Sequence, residues 1–170
     1  MRGSWTLGQW PVGGRDELPA GAYAVCIEDG RVLLARYVSP KGESNWTLPG
    51  GKVEQAEDPF DAVIREVAEE TGYDAAVERL LGVDSRVIPA AAARLGVEHQ
   101  NVGSFYRVRV IGGQSRPEPN GETAESVWTP IPDVACLRRS SLVDIGLAMA
   151  QTLPATGHVP PVPVGGLIQH

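Results

Sequence analysis

The chain has 170 residues, of which 42% are hydrophobic and 21% are charged, and its net charge at pH 7 is −6. This length and composition are typical of one globular domain and exclude a low-complexity or disordered protein. The acidic balance argues against a protein that binds the backbone of DNA or RNA, because that function needs clustered Lys and Arg.

The N-terminal residues 1–18 are mixed in composition and contain no apolar run that resembles a signal peptide. No later stretch is long and apolar enough to span a bilayer. We therefore expect a cytoplasmic protein without a membrane partner.

The first predicted elements are strands. Residues 20–27 and 31–37 are apolar runs on either side of Asp29-Gly30, a pattern that predicts a β-hairpin. The polar segment 39–44 is a loop by composition. A short strand at Trp46-Thr47-Leu48 then leads into a glycine-rich turn.

A helix is predicted over residues 59–71. Asp58 is suited to cap its N-terminus, and Pro59 fits the first helical position. Asp61 favours the positive end of the helix dipole. Gly72 stands where a left-handed C-terminal cap is expected.

The remaining elements are strands followed by a closing helix. Strands are predicted near residues 75–88, 99–111 and 124–130, and an amphipathic helix over 141–152. Residues 154–170 are rich in Pro, Gly and Val, and we expect a mobile tail after a single domain at 1–153. Two cysteines, Cys26 and Cys136, lack metal-site spacing and are expected to be small buried hydrophobes. The irregular order of strands and helices predicts an α/β (α+β) protein with a mixed sheet.

The predicted helix carries a row of acids. On a helical wheel its apolar residues form one broad face, made of Phe60, Val63, Ile64, Val67 and Ala68. Glu66, Glu69 and Glu70 gather beside that face, and Arg65 is the nearest cation. Carboxylate oxygens are the ligands that Mg²⁺ prefers. A charge-rich helix face is also typical of plain solvated surface, so the wheel alone leaves both interpretations open.

The residues around this helix distinguish the two interpretations. Residues 51–73, Gly-Lys-Val-Glu-Gln-Ala-Glu-Asp-Pro-Phe-Asp-Ala-Val-Ile-Arg-Glu-Val-Ala-Glu-Glu-Thr-Gly-Tyr, resemble the Nudix box. The box requires Gly, Glu, Arg-Glu, Glu-Glu and Gly at fixed spacing, and Tyr73 at the last place is the loose fit. The preceding Trp46-Thr47-Leu48-Pro49-Gly50 also looks like this family. Many fixed positions at fixed spacing make a chance match improbable.

The resemblance implies a Nudix-type α/β/α sandwich and a Mg²⁺ cofactor, with Mn²⁺ as a substitute. It implies a set of metal-binding positions: the carbonyl of Gly50 together with Glu57, Glu66, Glu69 and Glu70, with Glu57 acting through water or by holding the loop. It also places Glu69, Glu70 and Arg65 in the catalytic group, Arg65 by orienting a box glutamate.

The general base has two candidate sources, since family members use either a box glutamate or a carboxylate from a distant loop. Glu122 and Glu125 lie in the region that often supplies the loop carboxylate. Glu125 is preferred, because a Glu three residues before a strand Trp is common in the family. A solvated loop acid is the competing interpretation for each.

Candidate substrate contacts are Arg36 and Arg107, which suit phosphates, and Trp46, which suits a nucleobase. Structural roles on strands and in the core are the alternative for all three. Trp128, Arg86 and His99 are weaker candidates of the same kind. Trp5 and Trp10 suit either the interface of a homodimer or packing within one chain.

The resemblance implies hydrolysis of a diphosphate linkage in a small nucleotide-like substrate, a nucleoside diphosphate linked to another moiety. Pro89 lies sixteen residues beyond Tyr73 and resembles a marker of the ADP-ribose pyrophosphatase group, which favours ADP-ribose or a nucleotide sugar. A (deoxy)nucleoside triphosphate pyrophosphohydrolase is the main alternative. A module that senses a nucleotide without cleaving it is the second.

Overall fold

The computed structural model describes residues 20–93, 95–119 and 121–166. Within these ranges the strands are β1 (Ala20–Val25), β2 (Ile27–Glu28), β3 (Arg31–Val38), β4 (Ser44–Thr47), β5 (Gly50–Lys52), β6 (Tyr73–Ile88), β7 (His99–Gly113) and β8 (Thr123–Pro130). The helices are α1 (Pro59–Thr71), a 3₁₀ helix (Ile131–Cys136) and α2 (Ser141–Thr152). No helix in the described part of the chain is long and apolar enough to cross a membrane.

The strands form two sheets. In the first, the order is β5-β1-β7-β6, and β1 runs parallel to β7 while the other pairs are antiparallel. In the second, β3 is central: β8 pairs along one edge, and β2 and β4 share the other. The mixed sheet that the sequence predicts is therefore confirmed.

The predicted hairpin is correct at its turn and wrong along most of its first strand. Asp29 and Gly30 both adopt positive φ, 47° and 71°, which suits a tight turn between strands. Only β2 pairs with β3 beyond this turn. β1 instead lies between β5 and β7. Its side chains are buried on both faces, and its buried backbone N–H and C=O groups need hydrogen-bond partners on both edges.

Helix α1 begins and ends where its local chemistry predicts. The Asp58 side chain accepts a hydrogen bond from the Phe60 N–H, and Pro59 occupies the first turn. At the other end Gly72 is left-handed, with φ of 79°, and its N–H donates to the Ala68 carbonyl. The chain then turns directly into β6.

Two hydrophobic clusters lie on opposite faces of the strands. The α2 core includes Tyr23, Val25, Val32, Leu34, Phe105, Ile145 and Met149. The α1 core includes Ala22, Ala24, Cys26, Leu33, Val63, Val67 and Val108. Successive residues of β1 alternate between the clusters, as strand geometry requires. The result is an α/β/α sandwich, with α1 on one face and α2 on the other.

The two cysteines differ from each other. Cys26 is buried in the α1 core, as expected, and burial raises the pKa of its thiol to about 12. Cys136, at the end of the 3₁₀ helix, is exposed, so the expectation of burial is wrong there. A 3₁₀ helix with one buried residue, Val134, leaves its last side chain in solvent.

The chain after α2 packs against the sheet, which differs from the mobile tail predicted by composition. Val159 is 3% exposed within the α2 core. Three hydrogen bonds hold this segment: Val83 N–H to the Gly157 carbonyl (3.0 Å), Arg86 Nη1 to the Val162 carbonyl (3.0 Å) and Ser141 N–H to the Gly165 carbonyl (2.9 Å). Val159 lies in the α2 core, and Val162 and Val164 pack against it, although the segment has no regular apolar pattern. Residues 167–170, Trp5 and Trp10 lie outside the described residues.

Candidate active site

Arg65 is the centre of the acidic cluster on α1. Its Nε and Nη2 donate to the two carboxylate oxygens of Glu57, at 2.8 and 2.9 Å. Its Nη1 donates to Glu66 at 2.8 Å and to Glu69 at 3.0 Å, and Nη2 also reaches the Lys52 carbonyl. One guanidinium thus contacts three of the predicted carboxylates, and the orienting role that the resemblance implies for Arg65 stays a prediction.

Glu57 lies in the loop before α1 and is fixed from two sides. Besides Arg65, the Glu54 N–H donates to its Oε2 at 2.9 Å. Hydrogen bonds from Arg65 and from this backbone N–H lower the pKa of Glu57 to about 2. Glu57 is therefore ionised at neutral pH and ties the loop to the helix.

Glu70 is the most buried carboxylate of the cluster, at 4% exposure. Its Oε2 accepts a hydrogen bond from the Gly50 N–H at 2.9 Å, and its Oε1 accepts one from the Thr123 hydroxyl at 3.2 Å. Burial raises the pKa of Glu70 well above its ordinary value, and the negative charges of Glu66 and Glu118 add to this effect.

Glu66 occupies the space between Arg65 and the glycine turn. Its side chain is 14% exposed. Burial raises its pKa although Arg65 opposes the shift. A Cβ atom on Gly51 would lie 2.8 Å from the Glu66 carboxylate carbon, so a larger residue at this position would displace the carboxylate from its place beside the backbone.

Gly50 is required for a different reason. Its φ of 145° lies in a region that L side chains rarely adopt, and a Cβ there would collide with the Ala22 carbonyl and lie 2.8 Å from the Tyr23 Cα. In this conformation the Gly50 N–H points at Glu70. The glycine turn therefore both packs against β1 and positions a carboxylate.

Three predicted residues lie together, but apart from this cluster. Arg36 pairs in register with Trp46 on one side and with Glu125 on the other, and Arg36 Nε lies 2.7 Å from Glu125 Oε1. Paired residues project from the same face of a sheet. Arg36 lies two residues from Leu34, and Trp46 packs against the α2 core, so this row lies on the α2 side of the strands.

Arg107 is held elsewhere again. Its Nη2 donates to the Ile27 carbonyl at 2.8 Å, and its Nε lies 3.8 Å from Glu78. The structure thus gathers Gly50 and the box residues Glu57, Arg65, Glu66, Glu69 and Glu70. It does not bring Arg36, Trp46, Arg107 or Glu125 into contact with them, and their roles remain predictions.

Sequence reasoning missed two residues at the site, Thr123 and Glu118. Thr123 donates its hydroxyl to Glu70, and its N–H donates to Glu118 Oε2 at 3.1 Å. Glu118 is thus a loop carboxylate in contact with this network, and the roles predicted for Glu122 and Glu125 remain predictions. The signal in the sequence is weak, because Glu118 lies in a Pro-rich loop without periodicity.

The donor set fits a hard divalent cation. Four carboxylates and the Gly50 backbone supply oxygen, and Arg65 hydrogen-bonds three of the four carboxylates. The raised pKa values of Glu66 and Glu70 reflect buried negative charge that a cation would relieve. In this conformation, no group of three or more Asp, Glu, His or Cys side chains among the described residues is arranged to hold a metal ion.

The glycine turn, the capped helix and the acidic cluster define a domain of the Nudix type on an α/β/α sandwich. The family model described as NUDIX domain matches residues 17–145, and the chain belongs to this family. Among solved structures, the fold is similar to a NUDIX hydrolase from Nitrosomonas europaea, with a TM-score of 0.67 and 20% identity over 78% of this chain and 88% of that one.

Curated relatives share more sequence over shorter stretches. A putative 8-oxo-dGTP diphosphatase of Bacillus subtilis is 38% identical over 108 residues, 64% of this chain and 64% of the relative. An ADP-ribose pyrophosphatase of Methanocaldococcus jannaschii is 35% identical over 108 residues, 63% of this chain and 60% of the relative. The chain therefore spans less than two thirds of either relative.

Proposed function

We propose that this protein is a divalent-cation-dependent hydrolase that cleaves the diphosphate linkage of a nucleoside diphosphate joined to another moiety. The observation that carries the proposal is the Arg65-centred cluster, in which carboxylates of one loop and one helix meet beside a glycine turn. A plain solvated face would not bury Glu70 to 4% exposure and supply it with two hydrogen-bond donors.

The residues proposed to hold the cation are Glu66, Glu69, Glu70 and the Gly50 carbonyl, with Glu57 through water or by fixing the loop. Mg²⁺ is the proposed ion, and Mn²⁺ would substitute for it. When bound, such an ion neutralises the oxygens of a diphosphate and activates water.

The chain's own residues prepare the site. Arg65 hydrogen-bonds Glu57, Glu66 and Glu69 and so keeps the three carboxylates close to one another. Glu70 is fixed by the Gly50 N–H on its other side. A carboxylate at the site accepts a proton from the attacking water. We place that role on a box glutamate, Glu69 or Glu70, because Glu125 is paired with Arg36.

The proposed substrate is ADP-ribose or a nucleotide sugar. Pro89, which directly follows β6, supports this choice, as does the likeness to an ADP-ribose pyrophosphatase. A nucleoside triphosphate is the alternative, which the likeness to a putative 8-oxo-dGTP diphosphatase favours. The intact box argues against a module that senses nucleotides without cleaving them.

The test is a panel of ADP-ribose, nucleotide sugars and nucleoside triphosphates, assayed with Mg²⁺ and with a chelator. We expect chelator-sensitive cleavage of ADP-ribose or a nucleotide sugar to nucleoside monophosphate. Release of pyrophosphate from triphosphates alone would reverse the order of the two substrates.

The matched variants are Glu70→Gln and, as control, Glu98→Gln at an exposed position before β7. Glu70→Gln is expected to fold and to lose turnover by orders of magnitude, because the carboxylate charge at the cluster is gone. Glu98→Gln is expected to retain activity. Full turnover in Glu70→Gln would remove Glu70 from the site, and absence of cleavage across the panel would refute the proposed function.

A further inference from the structure

Thr123, the first residue of β8, contacts carboxylates from two separate parts of the chain. Its side chain is buried, with the whole residue 2% exposed. The hydroxyl donates to Oε1 of Glu70 on α1 at 3.2 Å. The backbone N–H donates to Oε2 of Glu118, in the loop between β7 and β8, at 3.1 Å. One residue therefore connects the box helix to that loop.

A β-bulge directs the Thr123 side chain to this place. Glu125 pairs with Arg36, and Thr123 pairs with Tyr37, so Ala124 is an extra residue on β8. In an unbroken strand, residues two apart would share one face. Paired residues share a face of the sheet, and Arg36 and Tyr37 point to opposite faces. Because of the extra residue, the Glu125 side chain therefore lies on the face of Arg36, and the Thr123 side chain lies on the opposite face, beside Glu70.

The hydroxyl completes the support of Glu70. The Gly50 N–H fixes Oε2, and the Thr123 hydroxyl fixes Oε1, so the two donors together set the rotation of the carboxylate. A valine would fill the same space without donating a hydrogen bond, whereas a serine would retain the donor. The position therefore offers a pair of variants that separate hydrogen bonding from packing.

We propose that Thr123 is a positioning residue that orients the Glu70 carboxylate and couples it to the Glu118 loop. This inference rests on the proposed function, in which Glu70 holds the divalent cation. Hydrogen-bond partners behind a metal-binding carboxylate set its direction, and their loss typically weakens metal affinity or activity by about 10- to 100-fold.

The first test compares Thr123→Val and Thr123→Ser with Thr129→Val, a buried threonine of the same strand that pairs with Val32. Mg²⁺ alone is titrated by calorimetry, and kcat and KM are measured for the substrate found in the panel. We expect Thr123→Val to weaken Mg²⁺ binding and to lower kcat by about 10- to 100-fold, with KM little changed. Thr123→Ser is expected to restore most of both, and Thr129→Val to retain the wild-type values.

Two results would overturn the inference in this test. One is Thr123→Val with the Mg²⁺ affinity and kcat of Thr129→Val. The other is Thr123→Ser as impaired as Thr123→Val, which would make packing rather than the hydroxyl responsible.

The second test does not depend on hydrolysis. Hydrogen exchange of the metal-free protein is followed by mass spectrometry in peptides that cover residues 114–119 and the C-terminal turn of α1. We expect faster exchange in both segments of Thr123→Val than in Thr129→Val. Unchanged exchange would overturn the coupling. If the wild-type protein took up no Mg²⁺ while exchange still accelerated, the proposed function would fail and the coupling would stand.

Discussion

Arg65 and Glu57 meet through two parallel hydrogen bonds, Nε to Oε1 at 2.8 Å and Nη2 to Oε2 at 2.9 Å. The remaining Nη1 donates to Glu66 and Glu69. Only a planar guanidinium presents donors in directions that serve all three carboxylates at once. The geometry of the acidic cluster therefore depends on arginine and not only on positive charge.

Arg65→Lys tests this dependence. A lysine supplies the charge as a single point and cannot form the paired bonds to Glu57 while it reaches the helix carboxylates. We expect turnover to fall about tenfold or more, with the fold retained by circular dichroism. Arg109→Lys, at a 60% exposed side chain paired with Glu78, is the control and should retain activity. Wild-type turnover in Arg65→Lys would show that charge alone is sufficient.

The Glu57–Arg65 pair should also appear in the pH dependence of stability. The pKa of Glu57 is about 2 in the folded protein, whereas its ordinary value is 4.5. The ionised Glu57 therefore contributes fully to the free energy of unfolding above pH 4.5. This contribution is lost as pH falls from about 4.5 towards 2, where the folded state must take up the proton. Urea unfolding of wild type and Glu57→Gln between pH 5 and 2 measures the difference. The gap between the two proteins should narrow as pH falls, and a constant gap would contradict the assigned shift.

The buried carboxylate Glu70 should change the free energy of unfolding with pH in the direction opposite to Glu57. Its folded pKa is raised, so its contribution to the stability of the metal-free protein is full below the ordinary value of 4.5 and is lost as pH rises through the raised value. Glu70→Gln should remove this decline. In wild type at neutral pH, added Mg²⁺ should raise the melting temperature, since a ligand at 100 times its Kd stabilises by about 2.7 kcal/mol.

Thermal unfolding of wild type and Glu70→Gln, each across a range of pH with Mg²⁺ and with chelator, measures both the pH-dependent decline in stability and the stabilisation by Mg²⁺. The Mg²⁺-dependent rise should be much smaller in Glu70→Gln. An equal rise in both proteins would place the cation away from Glu70.

Gly50→Ala is expected to destabilise the protein strongly. The substitution places a Cβ against the Ala22 carbonyl in a conformation with φ of 145°, and backbone strain of this kind costs about 1–3 kcal/mol before the collision is counted. Gly165→Ala, which adds its Cβ to open space, is the control. Chemical denaturation of both variants measures the difference, and similar stabilities would refute the close approach of β5 to β1.

Local features of the site were predictable, and the reason is that they depend on neighbours in sequence. The cap at Asp58, the left-handed Gly72 and the clustering of Glu66, Glu69 and Glu70 all follow from contacts within one helical turn or its ends. The resemblance to the Nudix family also predicted the glycine turn. The structure explains why glycine occupies both positions: Gly50 has a positive φ, and Gly51 lies close to the Glu66 carboxylate.

Contacts between distant segments were harder to predict from the sequence. Period-two alternation gives no sign that one extra residue, Ala124, separates the faces of Thr123 and Glu125. Glu118 contacts the network through the Thr123 N–H, and no motif in the sequence marks this residue. The packing of the segment after α2 was also not predictable, since its composition does not reveal that Val159 is buried in the core.

The sequence by itself determined the family, the box helix and the set of acids that it displays, because these are encoded in short-range spacing. The tertiary structure decided which of the other polar residues reach that set. Register shifts, strand order and the path of the last segment are fixed by packing across the whole sheet, and no window of the sequence contains that information.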